Sequence, residues 1–297
     1  MAVGISKALE FGAETVAIAS AGNAGAACAA YAARAELDCI VLVPEITPRE
    51  RLIQIQVAGA RVICIKGSTR EAVALLEMAR ERFDWHLLTT SAAVNPYQAE
   101  GTRSVGYELA EQWAETPDWL VVPVGGGGLL TGIMNAFADL QGFGRIASIP
   151  RVLAVQAAGC APLVRAFDRG ASLTAIEPWG EPETIVASLA DPVPFDGFTA
   201  LGAIRRSGGT AIAVDDEAIL DAQQHLAKME GLFVEPAAAA TLAGLIRAKE
   251  NAQIKPGSHV TLVLSGSGFK DLSSAGRRHA PPVTIRPTME DFLKTFE

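Results

Sequence analysis

Along this chain, short apolar runs alternate with stretches whose apolar residues recur at helical spacing. The runs Glu14 to Ser20, Cys39 to Val43, Arg61 to Ile65 and His86 to Leu88 read as strands. Ala26 to Ala35, Pro48 to Ala58 and Thr69 to Phe83 read as helices between them, and Ala21 to Gly25 as a turn. Pro48 suits a first helical turn, and Gly59 closes that helix. The resulting βαβαβαβ order predicts a parallel sheet with helices on its faces. Residues 1–13 predict a further helix, with Val3, Ile5, Ala8 and Leu9 apolar and Gly12 as its stop.

The second part of the chain repeats the alternation less evenly. Gln98 to Glu115 reads as a longer helix, broken before Pro117. Trp119 to Val124 is a strand that runs into Gly125, Gly126, Gly127 and Gly128, with a helix from about Leu129. A strand at Arg151 to Gln156 and a helix at Pro162 to Arg169 follow. Residues 177–200, rich in proline and acidic groups, read as a long irregular connection. Asp215 is a good N-cap for a helix from Asp216 to Glu230, and Gly231 suits the position past its end. Glu235-Pro236 opens an alanine-rich helix to about Lys249, and His259 to Leu264 is a last strand before Ser265-Gly266-Ser267-Gly268. The expected fold is α/β, with two open parallel-sheet domains and a cleft between them. Residues 14–91 form the smaller one; residues 1–13 and 92–297 form the larger, which carries the glycine-rich loop.

Composition removes several functions. A hydrophobic content of 49% supplies a core, yet no window is apolar enough to span a bilayer. The net charge is -8 with no basic run, which argues against nucleic acid and anionic membrane as partners. Cys28, Cys39, Cys64 and Cys160 show no CxxC spacing; the first three sit in apolar runs and look like core residues of a reduced, cytoplasmic protein. The histidines are scattered and no HExxH occurs, so no metal site is expected.

Three glycine-bearing turns each follow an apolar strand: Ser20 to Gly25, Gly125 to Gly128 and Ser265 to Gly268. Ligands of open parallel sheets sit at the carboxyl ends of strands, so the three can share one cleft. Consecutive glycines cost backbone entropy, and bare N–H groups at a helix N-terminus suit a phosphate. A tight, closely packed turn is the plainer alternative. Neither GxGxxG nor GxxxxGK[ST] is present, so a nicotinamide or ATP site lacks its usual spacing. In Ser20-Ala21-Gly22-Asn23-Ala24-Gly25, a hydroxyl, an amide and free N–H groups suit a carboxylate or phenolic oxygen; an ordinary cap at Asn23 is the alternative. Ser265 and Ser267 offer hydroxyls on what can also be a plain polar turn.

The ordered set Ser-x-Gly-Asn-x-Gly, a glycine tetrad after Val-Pro-Val, and Ser-Gly-x-Gly after a terminal strand resembles the fold-type II pyridoxal-phosphate enzymes, and among them the threonine synthases. Asn95 to Gly101, Val155 to Leu163, Glu183 to Ile185, Gly231 to Ala237 and Leu264 to Asp271 are similar to that group too. The resemblance implies the tryptophan synthase β-like fold, pyridoxal 5'-phosphate as cofactor, a small amino acid as substrate and commonly a homodimer. It implies that Gly125 to Gly128 with Leu129 cradle the cofactor phosphate, that Asn23 meets the ring hydroxyl and that Ser265 faces the pyridine nitrogen. Ser20, Ala21, Gly22, Asn23 and Ala24 would bind the substrate carboxylate. The implied reaction converts O-phosphohomoserine and water to threonine and phosphate; a threonine or serine ammonia-lyase and a non-catalytic binding protein are the alternatives.

Three departures qualify the resemblance. The family's Schiff-base lysine lies in a segment expected before Met1, and none of Lys7, Lys66, Lys228, Lys249, Lys255, Lys270 and Lys294 occupies its place. An N-terminally short and therefore inactive chain is the expectation, with Lys270 read as a structural or surface residue. Gln98 stands where many threonine synthases carry an arginine for the substrate phosphate, with Arg103 one turn further on. Ala21 stands where many members have a hydroxyl.

Overall fold

Two four-stranded sheets, each wholly parallel, carry the chain, and in each the first strand in chain order lies inside the sheet. A computed structural model describes residues 1–92, 94–113 and 115–296. The first sheet has the order β3-β2-β1-β4, from β1 (Thr15–Ala19), β2 (Asp38–Pro44), β3 (Arg61–Ile65) and β4 (His86–Leu87). Helices α1 (Ala2–Glu10), α2 (Asn23–Arg34), α3 (Arg49–Gln56) and α4 (Thr69–Phe83) belong to this half of the chain. The second sheet has the order β7-β6-β5-β8, from β5 (Trp119–Pro123), β6 (Arg151–Ala157), β7 (Thr210–Val214) and β8 (Val260–Leu262). Its helices are α5 (Pro96–Glu100), α6 (Arg103–Gln112), α7 (Gly128–Gly142), α8 (Pro162–Asp168), α9 (Gly197–Arg206), α10 (Asp216–Glu230) and α11 (Pro236–Glu250), with two short C-terminal helices, α12 (Leu272–Gly276) and α13 (Met289–Leu293).

Strand β5 shows why its sequence is continuously apolar. A strand points successive side chains to opposite faces, and a parallel sheet is covered on both. Trp119 and Val121 enter the core shared with α10 and α11, whereas Leu120 and Val122 enter the core shared with α7, α8 and α9. In both sheets one strand has neighbours on opposite sides from different parts of the chain: β1 lies between β2 and β4, and β5 between β6 and β8. The order reverses there, and the connections leaving the carboxyl ends diverge to leave a crevice. The turns after β1 and β5 are the first two glycine-bearing turns of the sequence.

Small residues set how closely the layers approach. Helix α11 buries Ala237 to Ala240 and Ala243, and a Cβ at Gly244 would stand 2.4 Å from Val155 Cγ2. Helix α1 places Ile5 and Ala8 in the first-sheet core with Val16, Ile18 and Cys28. No helix among the described residues is long and apolar enough to cross a membrane.

The structure departs from the sequence expectations at several points. The helix expected from Gln98 to Glu115 is two helices, α5 and α6, and its Ala114 lies outside the described residues. Between them, Thr102 bonds back to the Ala99 carbonyl at 2.7 Å and presses on Gly132 of α7. Helix α2 starts at Asn23, earlier than expected. Helix α9 and strand β7 go unanticipated; α9 opens inside the stretch read as irregular. Cys64 is exposed rather than core, because β3 is an edge strand with one side free.

Gly244→Ala is expected to destabilise the fold by about 1–3 kcal/mol through overpacking, despite alanine's better helix propensity. Gly142→Ala, with open space around the new methyl, is expected to be neutral or mildly stabilising. Chemical denaturation of the two variants checks the contrast.

Candidate active site at the carboxyl ends of both sheets

A cavity of about 640 Å³ opens between the carboxyl ends of the two sheets. Ser20, Ala21, Gly22, Asn23, Ala24, Gly125, Gly126, Gly127, Gly128, Leu129 and Ser265 all line it. A smaller hollow of about 180 Å³, beneath Phe11, His86 and Tyr97, contains none of the three turns.

The turn after β1 brings an uncapped helix end to this cavity. Gly22 is the N-cap of α2, extended and without a side-chain cap bond, while its own N–H reaches Ser20 Oγ at 3.3 Å. Asn23 is the first helical residue and not the cap, so its amide is free for other partners. Gly25 allows the turn to close, since a Cβ there would lie 2.0 Å from the Ser20 carbonyl oxygen.

The tetrad after β5 builds the second helix end. Gly127 has φ +97° and is the N-cap of α7, again without a side-chain cap. The first N–H groups of an α-helix have no intrahelical partner, and here no side chain among the described residues takes them. A Cβ at Gly125 would stand 2.5 Å from the Ser188 carbonyl oxygen, and one at Gly127 3.0 Å from the Asp196 carbonyl oxygen. Side chains would therefore fill this cradle, and bare backbone leaves it open to an anionic group. A phosphate fits the donor set.

Two carboxyl groups border the same loop. Asp191 Oδ2 lies 3.0 Å from a Cβ built on Gly126, and Asp196 Oδ2 lies 2.9 Å from one built on Gly128. Burial pushes the Asp191 carboxyl up to about 6; the N–H of Val193 opposes this, and the neighbouring Asp196 adds to it. Burial also raises Asp196, against the N–H of Ala92, which donates to Asp196 Oδ1 at 3.1 Å.

The third turn is shaped by side chains more than by hydroxyls. A Cβ at Gly266 would fall 2.1 Å from Glu235 Oε1, and one at Gly268 2.6 Å from the Phe233 ring. The glycines make room for Glu235 and Phe233, and Ser267 caps the short 3₁₀ turn Gly268–Lys270. Ser265 lines the cavity beside them. Asn23 Nδ2 donates to both Glu235 oxygens at 2.9 and 3.1 Å, and Lys270 Nζ donates to Asn23 Oδ1 at 2.7 Å. Arg51 of α3 pairs with Asp271 at 3.2 Å. Burial raises the Glu235 carboxyl, and Asn23, Lys270 and Arg51 counter it.

Several cleft residues escape the sequence reading. Lys270 faces the cavity, and among the described residues it is the only lysine that lines it. Glu235 reads in sequence as a helix start, Arg51 as a helix residue, and Asp191 and Asp196 as parts of an irregular connection. The adjacency of Glu235 to a helix-opening proline is a local signal; its contact with Gly266 has none. Gln98 is buried in the cavity wall, its Oε1 accepting from Thr89 N–H at 3.0 Å. Arg103 does not line the cavity, because Asp139 at 2.5 Å and Glu100 at 2.6 Å hold its guanidinium elsewhere.

Two parallel α/β sheets with a glycine-built helix end at their shared crevice define the fold-type II class of pyridoxal-phosphate enzymes. The family model for "Pyridoxal-phosphate dependent enzyme" matches residues 1–266, and the chain belongs to that family, with pyridoxal phosphate as its cofactor. It is 37% identical to the threonine synthase of Methanocaldococcus jannaschii over 97% of this chain and 71% of that protein. It is 39% identical to the threonine synthase of Methanosarcina acetivorans over 91% of this chain and 66% of that protein. Among solved structures, maize serine racemase superposes with a TM-score of 0.76 at 22% identity, covering 99% of this chain and 84% of that one. Threonine deaminase isoform 2 of Solanum lycopersicum gives 0.75 at 19% identity, covering 90% and 70%. At these identities the structures establish the fold.

Asp191 yields a pH test. Its folded-state value of about 6 exceeds the ordinary 3.8, so the folded protein holds this proton more tightly than the unfolded chain. Stability then falls as pH rises from about 4 to about 6, and the penalty persists above. Asp191→Asn is expected to raise the unfolding temperature at pH 8 and to leave it nearly unchanged at pH 4. It is also expected to tighten pyridoxal phosphate binding more at pH 8 than at pH 5, as calorimetric titration can determine.

Proposed function

We propose that this protein is a pyridoxal-phosphate-dependent lyase of the threonine synthase type, which eliminates phosphate from O-phosphohomoserine and adds water to give threonine. The convergence of the three glycine-bearing turns on one cleft carries this reading, and the likeness to threonine synthases supports the substrate. On this reading residues 14–91 form a smaller lobe, and residues 1–13 with 92–297 form a larger lobe that holds the cofactor phosphate, with α1 at the seam, its Ile5 and Ala8 buried in the core of the smaller one.

The residues divide the work by chemistry. The N–H groups of Gly125 to Gly128, with Leu129, hold the cofactor phosphate at the positive end of α7. Asn23 bonds the ring hydroxyl, and the Ser265 hydroxyl faces the pyridine nitrogen without adding charge there. The uncapped N-terminus of α2, with Ser20, Ala21, Gly22 and Ala24, receives the substrate carboxylate. Bound pyridoxal phosphate supplies an electron sink for charge developing on substrate carbon.

A second reading, ammonia-lyase action on threonine or serine, draws on Gln98 and Arg103. An uncharged, hydrogen-bonded amide stands at position 98, and Arg103 is paired away from the cavity. A phosphorylated substrate would gain from a cation there; a hydroxy amino acid would not need one. In calorimetric titrations of the protein with added pyridoxal phosphate, tighter binding of O-phosphohomoserine than of threonine or serine supports the first reading, and the reverse order the second; a binding readout suits a chain in which no lysine occupies the family's Schiff-base place. Gln98→Arg is expected to shift the ratio of affinities toward the phosphorylated substrate by about tenfold, the size of one charge-assisted hydrogen bond. Equal ratios before and after the substitution would remove position 98 from substrate choice.

A further inference from the structure

Asn23 is gripped from across the cleft by side chains of opposite charge. Glu235 accepts from its Nδ2 at 2.9 and 3.1 Å, and Lys270 donates to its Oδ1 at 2.7 Å. The two ends of a primary amide are nearly alike in shape, and their hydrogen bonds decide which way the group points. Here the partners leave one choice. An ammonium has only protons to give, and a carboxylate has only lone pairs. Turning the amide over would set N–H against ammonium and carbonyl against carboxylate.

The grip also leaves a donor unspent. The two oxygens of one carboxylate lie in nearly the same direction from Nδ2, whereas its two N–H bonds diverge, so Glu235 takes one of them. No other Nδ2 bond forms among the described residues, and Asn23 lines the cavity.

We propose that Lys270 and Glu235 are positioning residues that lock Asn23 with an N–H turned to the cleft, so that this point selects a lone-pair oxygen and, in the cofactor, the ionised ring hydroxyl. The proposal rests on the reading of the cleft given above, in which Asn23 meets that hydroxyl. Glu235 can take part because Gly266 has no side chain to exclude its carboxylate. The other charged groups around the pair are Arg51 and Asp271, which neutralise each other.

The test uses N-(5′-phosphopyridoxyl)glycine, a reduced cofactor–amino acid adduct that binds without covalent attachment, and its counterpart lacking the ring hydroxyl. Both are titrated calorimetrically into the full chain and into Lys270→Met, Lys270→Arg and Glu235→Gln. The unsubstituted protein is expected to prefer the hydroxylated adduct by about tenfold, the size of one oriented hydrogen bond. Lys270→Met should abolish the preference and Lys270→Arg retain most of it. The absorption of the bound ring should move from the ionised toward the neutral form in Lys270→Met at fixed pH. If Lys270→Met fails to fold, Lys270→Gln carries the same comparison, because its amide accepts as readily as it donates; Glu235→Gln, which keeps the ammonium and an accepting oxygen, should weaken the preference without abolishing it. Equal weakening of both adducts, or an unchanged preference, overturns the proposal. Failure of the unsubstituted protein to bind either adduct would overturn the cofactor reading of the cleft as well, which separates the two failures.

Discussion

The first N–H groups of a helix must be satisfied by something, and at α7 no side chain among the described residues supplies it. Gly127 enters that helix with φ +97° and no capping side chain, and the tetrad keeps Cβ atoms out of the space in front. The orphan donors and the helix dipole together make a site whose natural complement is an anion. The neighbouring architecture is arranged around leaving that complement room. The carboxyl end of β5 aims the loop, the Ser188 and Asp196 carbonyls bound it, and the turns after β1 and β8 face it across the cavity.

Asp191 and Asp196 border an anion site that their ionised forms would repel. Protonation eases the conflict only toward acid pH: burial raises both carboxyls, and at Asp191 as far as about 6. The cradle is therefore least hostile to negative charge where Asp191 keeps its proton. Elsewhere in the cleft the acidic groups are matched by cations, Glu235 with Lys270 nearby and Asp271 with Arg51.

Much of this architecture is written locally. Strands β1 to β3 and helix α4 are legible because period-2 and period-3.6 patterns alternate cleanly there, and Asp215 and Gly231 mark the ends of α10 by side-chain capping and a positive φ. Helix α9 is not legible because it follows a proline-rich approach and starts without a side-chain cap. The glycine turns announce the cleft because each sits at a strand end. Glu235, Lys270 and Asp191 do not, since their meaning comes from partners distant in the chain. The Asn23–Glu235 bond joins residues 212 positions apart, and no window of sequence contains it.

The contact between Gly266 and Glu235 has a consequence for how such a chain can change. A methyl at position 266 would occupy the volume of the carboxylate itself, 2.1 to 2.7 Å from its atoms. The carboxylate is the far end of a flexible side chain, so a larger residue at 266 displaces Glu235 sideways, and that displacement frees the amide of Asn23. Positions 23, 235, 266 and 270 form one epistatic unit, in which an otherwise modest exchange at a surface-looking glycine alters the amide in the cleft.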